Sequence, residues 1–245
     1  MRMQTRGIVV VCIILSFTAG LAVASFAGFR EFLPGLLEGA RVTVIITVLG
    51  CALAVVMAFI AALAKMYAPL PLRWLAVSYI EIFRGTSALV QLFWLFFVLP
   101  HFGITLDPLT VAVVALGLNV GAYGAEVVRG AVQAVPRGQW EATIALNMSR
   151  TEALKRVILP QAVVAMIPPW GNLFIELMKA TALVSLITIS DLAFKASQMN
   201  QTTYRTVEIF TIVLVFYLAI ASVITVGMRA LERAAARGLS RGRAH

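Results

Sequence analysis

"GQWEATIALNMSRTEALKRVILPQ", residues 138–161, is the most polar long stretch in a chain that is otherwise mostly apolar. Pro136, just ahead of it, suits an early helical position, and Trp140, Ile144 and Met148 then fall four apart on one helical face. Asn147 tolerates the left-handed conformation that ends a helix, and Ser149 with Glu152 three places on reads as a capping box. A second helix therefore starts at Arg150 and is expected to end at Pro160, whose ring disfavours helical geometry at Leu159. The chain should enter its next apolar run near Pro168 and Pro169. The stretch thus predicts two short helices set at an angle. A solvated connection is one reading of it. Its caps and apolar stripe favour the other, a docking element.

The surroundings of this hairpin fix the class. Apolar residues make up 61% of the chain and charged ones 13%, with a mean hydropathy of +0.94, which is the range of multi-span membrane proteins. A bilayer core about 30 Å thick needs about 20 apolar residues in a helix. Six such runs stand out, at roughly 8–27, 38–64, 74–99, 109–128, 162–188 and 207–228. The twenty Lys and Arg residues orient them. With the N-terminus inside, the cytoplasmic segments hold most of them, from Arg2 to Arg243, and the outside keeps only Arg30, Arg41, Lys195 and Arg205. The net charge of +9 is therefore a topology signal, and nucleic acid is excluded as a partner. Cys12 and Cys51 lie inside apolar runs and indicate neither a disulfide nor a metal.

Domain organisation follows from the same runs. Residues 1–35 read as a signal-anchor-like span, favoured over a cleaved signal peptide, followed by an amphipathic segment, "FREFLPGLLEGAR", expected to lie along the outer surface. Residues 36–229 form the membrane domain with the hairpin loop at 136–161. Residues 230–245 form a basic tail; Arg229, just before it, and Arg233 and Arg237 within it fall four apart and face anionic lipid.

Polar side chains at membrane depth are the second informative set: Glu81, Arg84, Gln91, Asn119, Glu126, Asn172, Glu176 and Lys179. A central charge costs about 2.5–3.5 kcal/mol on insertion scales, so such groups face a cavity, a partner or an interface. Glu176 and Lys179, three apart, either pair with each other or contact a solute. Glu81, Arg84 and Glu126 lie near span ends, where bracing of the neighbouring loops is the favoured role. Phe93, Trp94, Phe96 and Phe97 would suit a delocalised cation, but an interfacial or lipid-facing role is favoured. His101 and His245 are isolated, no catalytic constellation is present, and no phosphate-cradling Gly-Lys loop exists. The chain reads as neither an enzyme nor an ATPase, with no cofactor and no metal.

The hairpin resembles the EAA loop of ATP-binding-cassette importer permeases: Glu141-Ala142-Thr143, Asn147 at the glycine position, then Ile158-Leu159-Pro160. "YIEIFRGTSALVQLFW" (79–94), "LNVGAYGAEVVRGAVQAVPRGQWEA" (118–142) and "ELMKATALVSLI" (176–187) are similar to signatures of the polar-amino-acid branch, with Ser87, Ala180 and Ala182 as departures. "RGTSALVQLFWLFFVLP" and "PPWGNLFIELMKATALVSLITISDL" look most like permeases of ectoine and hydroxyectoine importers.

This resemblance implies an all-α polytopic fold of about six transmembrane helices, a five-helix type I importer core plus an N-terminal span. It implies a bacterial inner-membrane location and three kinds of partner: two ATPase subunits, a second permease (a paralogue favoured over a homodimer) and an extracytoplasmic solute-binding protein. Gln139, Trp140, Glu141, Ala142 and Asn147 would couple to the ATPase. Glu81, Arg84, Asn119, Glu126, Asn172, Glu176 and Lys179 are the candidates for a substrate pathway. Ectoine or hydroxyectoine is the favoured solute and a polar amino acid the alternative. A self-powered secondary transporter or channel would also be helical and basic inside, but such proteins usually carry an internal repeat, and the two halves here show no convincing similarity.

Overall fold

The computed structural model describes residues 28–241, and all regular structure among them is helical. Helix α1 (Gly28–Tyr67) has 40 residues, about 60 Å at the usual rise, or twice a bilayer core. Its first turns take up the segment expected to lie flat on the outer surface. The reason is packing: Phe32, Leu36 and Ala40 recur every fourth residue and are buried against Leu192, Ala196, Ile209 and Ile212, so the apolar stripe finds protein rather than lipid headgroups.

Helix α2 (Leu70–Gly85) starts with prolines at its first positions. It is followed by α3 (Ala88–Phe93), which runs on through a π turn at Trp94–Val98 and a 3-10 turn at Leu99–Phe102. The two stretches meet at 108°. The apolar run at 74–99 is therefore a broken element and not one straight span. Thr86 and Ser87 are both extended, and the helix cannot pass through two such residues.

Helix α4 (Pro108–Gln133) begins at an Asp107 cap and is the most buried of the spans. Small residues let its neighbours approach. A Cβ on Gly117 would come within 2.9 Å of Leu53 on α1, and one on Gly121 within 2.8 Å of the Tyr79 hydroxyl on α2. One on Gly124 would collide with the Trp170 ring.

Helix α5 (Arg137–Ala145) and the short α6 (Arg150–Glu152) are separate helices, with the turn at Leu146–Ser149 between them. The second helix does not stop at Pro160. It continues through a π turn at Ala153–Ile158 into α7 (Leu159–Ala180), with Pro160, Pro168 and Pro169 all inside the helical run. The wide turn places Pro160 in the first turn after it, where a missing N–H costs least.

A 3-10 turn (Thr181–Ile187) then leads to α8 (Leu192–Thr203), and α9 (Thr206–Arg241) is a single 36-residue helix. The basic tail is thus, as far as Arg241, a continuation of α9. Among the described residues four helices are long and apolar enough to cross a membrane, and the bent α2–α3 pair makes a fifth. The run at 8–27, Cys12 and residues 242–245 lie outside the described part. The main core gathers buried residues of α1, α4, the π turn at Ala153–Ile158 and α7, including Ile46, Leu116, Ile158 and Leu177.

Candidate functional site

The hairpin is built from local rules. Leu146 N–H donates to the Ala142 carbonyl and Met148 N–H to the Thr143 carbonyl, both at 3.0 Å. Asn147 takes φ 52°, the left-handed position expected of it. Ser149 and Glu152 form the reciprocal cap: the Ser149 N–H donates to Glu152 Oε2 at 3.1 Å and the Glu152 N–H to Ser149 Oγ at 3.3 Å. Gln161 Nε2 on α7 donates to Gln139 Oε1 on α5 at 3.1 Å, which ties the hairpin to the span beyond it.

The faces of α5 divide its residues. Gln139 and Trp140 are half-buried, and Trp140 packs against the membrane-domain core. Glu141, Ala142 and Asn147 are exposed, as are Ile144 (75%) and Leu146 (74%). The predicted stripe of Trp140, Ile144 and Met148 is thus split: the Trp anchors the helix, and Ile144 points away from the chain.

Two other groups of predicted residues are internally satisfied. At the α2–α3 break, the free Phe83 carbonyl accepts from Gln91 Nε2 and from Asn119 Nδ2, each at 3.0 Å, and Asn119 also donates to Gln91 Oε1 at 3.1 Å. Gln91 adds a 2.7 Å bond to the Thr86 hydroxyl. The Phe83 carbonyl is thus satisfied where the helix breaks. At the hairpin end, Glu126 is held by Lys65 at 2.7 Å through one oxygen and by Arg129 at 2.6 Å through the other. Lys65 was not among the sequence candidates; no spacing rule links residues 61 apart.

Arg84 stacks over the Tyr123 ring at 5.5 Å, and the Tyr123 hydroxyl donates to the Arg84 carbonyl at 3.3 Å. Glu81 is exposed one turn earlier.

Asn172, Glu176 and Lys179 behave differently. They recur at helical spacing on α7, all three are exposed, and they span about 10 Å of its length. The ion pairs among the described residues join other groups, and Glu176 and Lys179 do not pair with each other. The opposite face of α7, with Leu177 and Met178, is fully buried.

A further polar group was not foreseen. Asp191 caps α8 and is fully buried, with Oδ1 accepting from the Phe194 N–H at 2.9 Å and Oδ2 without a partner. Burial pushes its carboxyl up to about 6. Thr43 of α1 accepts from the Leu192 N–H at 3.2 Å, and a Cβ on Gly39 would sit 2.8 Å from the Asp191 carbonyl. Only the folded chain brings α1 this close to residue 191.

Comparison with known proteins agrees with this geometry. Residues 54–237 match the family described as binding-protein-dependent transport system inner membrane component. The chain is 44% identical over 215 residues to a probable amino-acid ABC transporter permease of Sinorhizobium fredii, covering 85% of this chain and 90% of that one. It is 42% identical to the L-cystine transport system permease of Bacillus subtilis over 76% of this chain and 79% of that one. With the glutamine transport system permease of Escherichia coli the identity is 39%, over 82% and 93%. Among solved structures, a crystal structure of an amino acid ABC transporter with histidines superimposes with a TM-score of 0.79 at 35% identity, over 85% of this chain and 98% of that one.

Proposed function

This chain belongs to the family of binding-protein-dependent inner-membrane transport components and is a permease of the amino-acid ABC importer type; on that premise we propose that it carries a polar amino acid across the bacterial inner membrane. Membership implies an ATPase and a solute-binding protein as partners, so the chain itself is not an enzyme. The hairpin and the end of α9 face the cytoplasm in this reading, supported by the excess of Lys and Arg at that end.

The observation that carries the substrate class is the open stripe on α7. Glu176 and Lys179, unpaired and exposed at membrane depth, offer an acceptor for an ammonium group and a donor for a carboxylate. A zwitterionic amino acid presents both. Asn172 adds a neutral hydrogen-bonding group one turn away. Glu81, next to the Arg84–Tyr123 pair, lines the same pathway from α2. Asn119 and Glu126 support it from behind by holding the break and the hairpin end in place.

The coupling role falls to α5. Glu141, Ala142, Ile144 and Leu146 meet the ATPase, while Gln139 and Trp140 hold the helix to the spans and Asn147 sets the turn. A second permease covers the open face of α7, and a paralogue is favoured over a second copy. Ectoine, the solute suggested by the stretches around 84–100 and 168–192, is the second reading. The named relatives carry glutamine and L-cystine in their own names, and the amino-acid reading follows that support.

The test is uptake of labelled glutamine, cystine, arginine and ectoine by cells carrying the whole system, each competed by the others. Uptake of an amino acid that ectoine does not compete for is expected, and uptake of ectoine indifferent to amino acids would reverse the assignment. Glu141→Arg should abolish uptake; transport undiminished by it would remove that residue from the coupling contact.

A further inference from the structure

At the hairpin end, the ends of α1, α2 and α4 and one face of α5 line an open cavity of about 720 Å3. Its walls include Lys65, Tyr67, Arg73, Arg129, Gln133 and Trp140. Three of these are cations from three different helices. The carboxylate beside them, Glu126, has both oxygens engaged by Lys65 and Arg129. The cup therefore keeps a surplus of positive charge. Arg73 is exposed and shares in none of the ion pairs among the described residues.

Beside the cup the surface is apolar. The first turns of α2 expose Leu70 (67%), Trp74 (65%) and Leu75 (68%) around Arg73. A basic cup that opens next to a bare apolar helix face matches a ligand that is anionic at one end and apolar at the other. An acidic protein segment or free phosphate would satisfy the cup but would make no use of the apolar face beside it, at Leu70 and Trp74.

We propose that this cavity is a binding site for an anionic phospholipid, its phosphate held by Arg73 and Lys65 and its acyl chains lying along Leu70 and Trp74. Trp140 forms part of the wall, so the bound headgroup touches the helix that meets the ATPase. The lipid thereby ties the hairpin to the membrane surface. The proposal rests on the importer reading only in setting the chain in a membrane, and binding itself requires no transport.

The test uses the whole transporter in bilayer discs of phosphatidylcholine with a minor fraction of phosphatidylglycerol. Phosphatidylglycerol that stays bound through mild detergent extraction is counted by native mass spectrometry. Arg73→Gln should lower it about fivefold, the factor given by about 1 kcal/mol per basic group near an anionic surface. Arg41→Gln, an exposed arginine toward the other end of α1, should leave it unchanged. Equal retention by wild type and Arg73→Gln overturns the proposal, as does an equal loss in Arg41→Gln, which would mark nonspecific attraction. Loss of the ATPase from Arg73→Gln with lipid retained would assign the cup to an acidic protein segment. Removal of the lipid by excess inorganic phosphate would reduce it to a phosphate site. Failure of the importer reading would instead show as ATP hydrolysis that no amino acid stimulates, with lipid retention intact.

Discussion

Two polar regions at membrane depth are built on opposite principles. At the α2–α3 break, Gln91, Asn119 and the Phe83 carbonyl satisfy one another within 3.0–3.1 Å. Along α7, Asn172, Glu176 and Lys179 are exposed, and the two charges do not pair. Polar side chains at membrane depth thus serve two ends. Satisfied groups hold a broken backbone in place, whereas open ones await something that the single chain does not contain. The comparison teaches that depth alone does not identify a pathway; the state of each hydrogen-bonding group does.

This contrast can be broken most directly at Lys179. Lys179→Ala should lower uptake of the labelled amino acid at least about 100-fold with the amount of protein in the membrane unchanged, the effect of removing one partner of a desolvated charge contact. If uptake survives, the open stripe is only an interface with the second permease. Asp191 is half satisfied, intermediate between the two cases. Its carboxyl stands near 6 in the folded chain, above the usual value of about 3.9, so ionisation costs the folded state. Stability is fully present below pH 4, falls as pH rises from about 4 to 6, and is level above. Asp191→Asn keeps a capping acceptor and should remove that fall, a gain of about 3 kcal/mol at most at pH 7.5. Thermal unfolding of both proteins at pH 4.5 and 7.5 measures it.

Asn119→Leu tests the closed region. It removes a donor from the Phe83 carbonyl and should cost about 2 kcal/mol of stability, with uptake falling only in step with the folded protein that remains. Uptake lost at full protein level would move Asn119 into the pathway. The smallest effect is expected at the hairpin turn: Asn147→Ala should cost about 1 kcal/mol because of its positive φ, and Asn147→Gly should cost nothing. Thermal unfolding of the two variants separates the backbone requirement from any contact of the side chain.

Much of this architecture could be read from residues close together in the chain. Asn147 and the Ser149–Glu152 box announced the turn, because a cap is made within three or four residues. The apolar runs marked the spans, since lipid imposes length and composition on each helix separately. The reading failed where a neighbour changed the local preference. Pro160 was expected to end a helix, but a π turn ahead of it let the helix continue. "FREFLPGLLEGAR" was expected on the surface, but its stripe is covered by α8 and α9.

From residues alone the sequence determined class, the rough places of the apolar helices among the described residues and the form of the hairpin turn, because these depend on solvent and on near neighbours. Tertiary structure alone decided which polar groups are engaged. Lys65 meets Glu126, Asn119 meets Phe83 and Trp140 turns inward because the helices cross where their small residues permit. Such a crossing sets distances between residues tens of positions apart, and no periodicity in the chain encodes them.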